Sequence, residues 1–217
     1  MALNPAAGTH PVTSDRREVA AASHAGARSF GEFPYYEARY GDRGRLFALS
    51  DGAWLVTLCS NPDAAAVTAE VEWLAQVLSA RGMPSILMEK HLEFMEEELT
   101  SAAPEKAAEY RKLGMAREAL KARRQQMIPD AEFGRLVEDF EQATDPAEAE
   151  RLPRMGLVLV SSVIDESAGA QRAVRALLDW AAAPGRFSER WIRAVEDTVT
   201  AARVAVEAGS RGTAGQA

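Results

Sequence analysis

A chain of 217 residues that is 47% hydrophobic and 26% charged has the composition of a folded globular protein, not of a disordered or fibrous one. Its formal net charge of -7 opposes phosphate backbones and anionic lipid, and a single cysteine, Cys59, excludes a disulfide within the chain. No apolar run approaches the roughly 20 residues of a membrane span, and residues 1–30 lack the charged and apolar regions of a secretory signal. A cytoplasmic protein is therefore expected, with neither nucleic acid nor membrane as partner.

Residues 1–29 are small, polar and without period, and they read as a disordered arm carrying His10 and His24. The segment FGEFPYYEARY at 30–40 concentrates aromatics, Tyr36 among them, and predicts a strap laid over a helical core. Ser50-Asp51 predicts the start of a short helix through Trp54, Leu55 and Leu58. Asn61-Pro62 predicts the next start, because the Asn side chain can cap free N–H groups and proline loses nothing in a first turn. The helix that follows carries Val67, Val71, Leu74 and Leu78 at helical spacing, and Gly82 ends it.

Pro84 opens a helix to about Leu99, and Pro104 opens another with Leu113, Ala116, Leu120 and Met127 in register. The first is acidic on its outer face (Glu89, Glu93, Glu96, Glu97, Glu98). The second is basic (Arg111, Lys112, Arg117, Lys121, Arg123, Arg124). A short loop makes them antiparallel neighbours with opposite charges along their edges. Pro129-Asp130, Thr144-Asp145-Pro146 and Pro184-Gly185 punctuate the remaining helical pattern. MGLVLVSSVID at 155–165 is rich in β-branched residues, yet it lacks a clear ladder partner and is expected to be a buried helix. AGSRGTAGQA at 208–217 reads as a disordered tail.

The fold expected is all-α, a bundle of about six to eight amphipathic helices between a disordered N-terminal arm and C-terminal tail. A break in the pattern near 126–130 predicts helical subdomains at 30–128 and 129–207, though one continuous bundle fits as well.

His91 falls inside the apolar face made by Leu87, Met88, Leu92, Phe94, Met95 and Leu99. A buried imidazole needs a hydrogen-bond partner or bears a desolvation cost of about 1–3 kcal/mol. It is then a core histidine bonded to a neighbouring helix, an axial ligand of a haem-like cofactor, or a pH-sensitive latch. The ligand alternative places a pocket of about 300–1,000 Å³ between the 63–81 and 84–101 helices, with His91, Met88, Met95, Tyr36 and Trp73 as its residues.

The run VLSARGMPSILMEKHL resembles the corner and following helix of sensor globins, where a helix bearing the proximal histidine ends in an Arg–hydrophobic–Gly–hydrophobic corner. Leu78 stands where that family has its histidine, and Ala80 where it has its arginine. The resemblance spans some twenty residues, implies a non-haem sensor of the kind found in stress-signalling regulators, and assigns no site residue.

Other chemistries find no pattern. Three scattered histidines and one cysteine do not make a usual zinc site. No Glu-x-x-His pair or Gly-x-Ser-x-Gly elbow occurs, and GDRGRL at 41–46 follows no strand. Asp165 and Glu166, beside Ser161 and Ser162, read as ordinary helix-end composition. No catalytic residue, cofactor or metal is assigned. The expectation is a non-enzymatic helical module that regulates or scaffolds by binding another protein or its own copy. A small-molecule or tetrapyrrole sensor is the alternative, and a helical enzyme with an unrecognised site the next.

Overall fold

The computed structural model describes residues 12–214. Ten α-helices follow one another: α1 (Arg16–Glu32), α2 (Tyr35–Leu58), α3 (Ala64–Ser79), α4 (Ser85–Ala102), α5 (Ala107–Met127), α6 (Asp130–Ala143), α7 (Pro146–Arg151), α8 (Met155–Ser167), α9 (Ala173–Ala181) and α10 (Glu189–Ala214), with a 3-10 turn at Pro104–Lys106. No strand forms among the described residues, so the all-α expectation holds. None of these helices is long and apolar enough to cross a membrane.

The count exceeds expectation because α1 forms in the predicted arm and the short α7 forms after Asp145, and both predicted termini are partly helical. Residues 16–29, expected as disordered arm, belong to α1; residues 1–11 lie outside the described residues. Asp15 caps α1, its carboxylate accepting from the Arg17 N–H at 2.9 Å. The C-terminal tail is corrected likewise: α10 continues through 208 to Ala214, and 215–217 lie outside the described residues. The aromatic strap is also helical. Phe33-Pro34 ends α1, and α2 starts at Tyr35 and, beyond a kink at Gly41, continues past Ser50-Asp51, so no separate short helix begins there. Gly41 kinks α2 at φ 50, ψ -145, a conformation that glycine adopts without a Cβ penalty.

One helix-start signal acts two residues away from its predicted role. Asp63, not Asn61, caps α3 through the Ala65 N–H at 2.9 Å, while Asn61 turns the chain by accepting from the Asp63 N–H at 2.9 Å. Asp145 caps α7 with Pro146 in its first turn, as the sequence suggests. Segment 155–165 is helical within α8, and all but Leu157 of its residues are buried. A helix buried nearly all round needs no polar stripe, which is why its composition also resembles a strand.

The chain divides into two compact units. One comprises the chain up to Trp73 together with Met88–Ala119; the other comprises Leu74–Leu87 together with the chain from Leu120. The division differs from a simple cut near 129 because 74–87 belongs with the later part of the chain. In the first unit α1 packs along α2. Its acidic α4 face is met from α1, where Arg28 pairs with Glu97 and Glu98 at 2.8 Å each and lies 4.1 Å from the Phe94 ring centroid. Within this unit Gly114 of α5 abuts Glu96, and Lys112 turns its ammonium to the carbonyls of Cys59 and Asn61 at 2.8 and 2.6 Å.

In the second unit α8 is the central element, packed by α6, α9 and α10. Gly156 allows a close approach. A Cβ there would meet Val137 Cα and O at 3.2 Å. Phe140, Trp191, Phe187 and Trp180 form a chain of edge and stacked contacts with centroids 5.1–5.3 Å apart. The indole of Trp191, fully buried, donates to the Ala181 carbonyl at 3.0 Å.

Candidate functional site

His91 sits on the buried face of α4, as its place among leucines and methionines predicts. Its partner comes from α1. His91 Nδ1 lies 2.9 Å from Ser29 Oγ, and the Ser29 hydroxyl donates back to the Ala25 carbonyl at 2.9 Å. With that hydrogen committed, Nδ1 carries the proton and donates to Ser29. Burial lowers the imidazole pKa to about 4, so the ring is neutral near pH 7. A serine whose hydrogen points to a helix carbonyl, and whose oxygen receives an N–H, is not activated as a nucleophile. The pair ties α1 to α4.

Of the other residues gathered with His91 on sequence grounds, the methionines share its buried helix and Trp73 faces outward. Met88 and Met95 are buried on α4, and Met95 Sδ abuts Gly52 of α2. Tyr36 stacks on Phe30 with centroids 4.9 Å apart. Its phenol pKa is raised, chiefly by burial. Trp73 faces outward from α3 with 57% of its surface exposed. It therefore does not close a pocket around His91, and helical phase explains why: Val71, Leu74 and Ala75 take the inner face of that turn.

Three further buried groups are equally committed. Glu18 of α1 accepts from Lys106 Nζ at 2.7 Å, Tyr110 OH at 2.6 Å and the Thr13 hydroxyl. Burial raises its pKa, but these donors outweigh it and hold the carboxyl below its ordinary value. Cys59 is buried against the Leu55 carbonyl at 3.2 Å, and burial pushes its thiol up to about 12. A thiol so rarely ionised is a poor nucleophile.

Asp165 is the residue that sequence reasoning passed over. In the second unit it accepts from Ser79 Oγ at 2.8 Å, Ser85 N at 2.7 Å and Ser85 Oγ at 2.6 Å, while Ser161 Oγ accepts from the Ile86 N–H at 3.2 Å. Asp165 and Ser161 thus cap the first turn of α4 from a distant helix, supplying acceptors for N–H groups with no intrahelical partner. Burial raises the Asp165 pKa against these three donors. Neighbouring Glu166 accepts from the Val174 N–H at 3.1 Å and caps α9. The signal for Asp165 was present: a carboxylate on a helix otherwise buried all round must be satisfied.

Among the described residues, no group of three or more His, Cys, Asp or Glu side chains is placed to hold a metal ion. A recess of about 560 Å³ opens beside α6, α7 and the start of α8, and His91 is not among the residues that line it. Its walls include Phe140, Leu152 and Met155, each at most 2% exposed, so it offers a ligand little apolar surface. No protein-family model, curated protein or solved structure matches the chain. The sensor-globin resemblance thus stays confined to the corner between α3 and α4, where Ser79 and Ser85 hold Asp165.

Proposed function

We propose that this chain is a helical regulatory or scaffolding module that acts by binding another protein or its own copy. The observation that carries the reading is Trp73, a large aromatic left 57% exposed on the outward face of α3. Tryptophan is enriched among the residues that supply most of an interface's affinity. Around it Ala65, Ala69 and Gln76 are also exposed and leave the indole open to approach. Met115 of α5 adds a second exposed apolar side chain, at 51%. The groups with reactive potential support the same reading. Ser29, His91, Glu18 and Asp165 are spent on holding helices together, and the Cys59 thiol on the Leu55 carbonyl of its own helix.

The test is a photo-crosslinking amino acid placed at position 73 of the full chain in its own cells, with the molar mass of the purified protein measured by light scattering. A discrete crosslinked species, or a dimer that Trp73→Ala dissociates, supports the proposal. A monomer with no crosslink from position 73 overturns it. A visible absorption band on the native protein would favour the haem-like alternative at His91.

A further inference from the structure

At one edge of the second unit, two arginines lie on adjoining aromatic rings without a carboxylate. Arg151, the last residue of α7, places its guanidinium 5.3 Å from the Phe187 ring centroid. Arg186, in the turn before α10, places its own 5.3 Å from the Trp180 centroid. Phe187 and Trp180 are themselves in edge contact at 5.3 Å. Both arginines are exposed, and neither forms an ion pair among the described residues. Other arginines among the described residues do, for example Arg17, Arg28, Arg117, Arg135 and Arg175.

We propose that Arg151 and Arg186 form a docking surface for a short acidic segment of a protein partner. This rests on the reading of the chain as a protein-binding module and names the partner's chemistry. A guanidinium resting on an aromatic ring is held in place, while its outer N–H groups still point to solvent in a fork that matches a carboxylate. Ordering costs are thus met before binding, which is the condition under which exposed charges contribute affinity.

The turn that carries the patch is rigid. Gly185 takes φ 78, the Arg186 N–H donates to the Ala183 carbonyl at 3.2 Å, and Glu148 of α7 accepts from the Ser188 N–H and hydroxyl at 2.9 and 2.5 Å. Those bonds fix the end of α7 against the start of α10, and with it the spacing of the two arginines. Arg190 next to them is spent on the carbonyls of Gln142 and Ala143, which leaves its positive charge without a neutralising carboxylate.

The surroundings select the class of partner. In sequence, the exposed carboxylates of Asp179 and Glu189 lie beside Trp180 and close to Arg186, and they interrupt the positive charge of Arg151, Arg186 and Arg190. A continuous phosphate backbone or an anionic membrane would meet those carboxylates and the -7 net charge of the chain. A peptide needs only two carboxylates at matching spacing. Three steps of 5.3 Å separate the two guanidiniums at most. In an extended segment rising about 3.3 Å per residue, acidic residues two or four apart fit that span.

The test pans a displayed library of random peptides against the full chain and measures the selected peptide by fluorescence anisotropy. Enrichment of paired Asp or Glu at spacings of two or four is expected. Affinity should fall about tenfold or more in the Arg151→Gln/Arg186→Gln variant, the scale of losing a bidentate charged pair. The Arg151→Lys/Arg186→Lys variant should not restore it, because an ammonium keeps the charge and loses the fork. Selection without an acidic pattern overturns the proposal. So does equal binding by the glutamine variant, or displacement of the peptide by oligothymidylate or phosphatidylserine vesicles. Crosslinking at Trp73 is independent of these variants, so loss of this docking surface and loss of the protein-binding reading give different results.

Discussion

Protonation of His91 links a single side chain to the stability of the fold. The native ring has a pKa of about 4, against an ordinary value of 6.5, so the unfolded chain binds a proton that the native chain does not. Stability from this group is complete above pH 6.5 and is lost as pH falls toward 4, a span worth about 3 kcal/mol. Denaturant unfolding measured across that range should show the loss, and His91→Leu should flatten it. Asp165 has the opposite sign: its raised pKa means that ionisation opposes folding as pH rises above its ordinary 3.8. Its hydrogen bonds still matter. Asp165→Ala leaves Ser79, Ser85 and the start of α4 without their acceptor and is expected to destabilise by about 3 kcal/mol in thermal or denaturant unfolding.

The same residues show how far the sequence reaches. His91 could be placed on the buried face of α4 because leucine and methionine recur around it at helical spacing. Its partner could not, since Ser29 sits in a segment whose alanines and serines form no strong apolar stripe. Alanine is the best helix former, however, and α1 needs only a narrow face to lie along α2. Asp165 failed for a different reason. It bonds Ser79, 86 positions away, and nothing in local spacing marks such a pair.

Among the elements, two glycines in the second unit should respond oppositely to the same change. Gly134 lies inside α6, and a methyl added there would meet nothing within 4 Å, so Gly134→Ala should stabilise by about 0.5–1 kcal/mol through lower chain entropy. Gly156 faces Val137 backbone atoms at 3.2 Å, which cannot withdraw as a flexible side chain would. Gly156→Ala should destabilise by about 1–3 kcal/mol. Melting temperatures of the two variants decide it. Helix starts were legible where Asp and Pro stand together, as at Asp145-Pro146, and less so where two polar residues compete, as at Asn61 and Asp63. The α2 segment was hard to read because its glycines and aromatics look like loop composition, whereas only Gly41 leaves helical φ/ψ and the chain is helical on both sides of it.

For the whole molecule, the helical class was legible because apolar residues recur at three and four in most segments. The grouping of helices was not: α3, α4 and α5 each give part of their length to both units, and no linker composition marks that. Burial predicts how backbone protection is distributed. Amides of α8, within a nearly all-buried segment, should exchange among the slowest in the second unit. Residues 42–51 of α2 include no buried side chain and should exchange among the fastest helical amides of the first. Hydrogen-exchange mass spectrometry measures both, and fast exchange throughout α8 would contradict its central place in the packing.

Gly41 has one more effect. Twenty-four residues wound as an unbroken cylinder would extend about 36 Å, and an alanine at that elbow would favour such a rod. Leu46 and Leu49 would then swing as a lever about Tyr40, so the direction in which this greasy arm points is governed by a single backbone torsion.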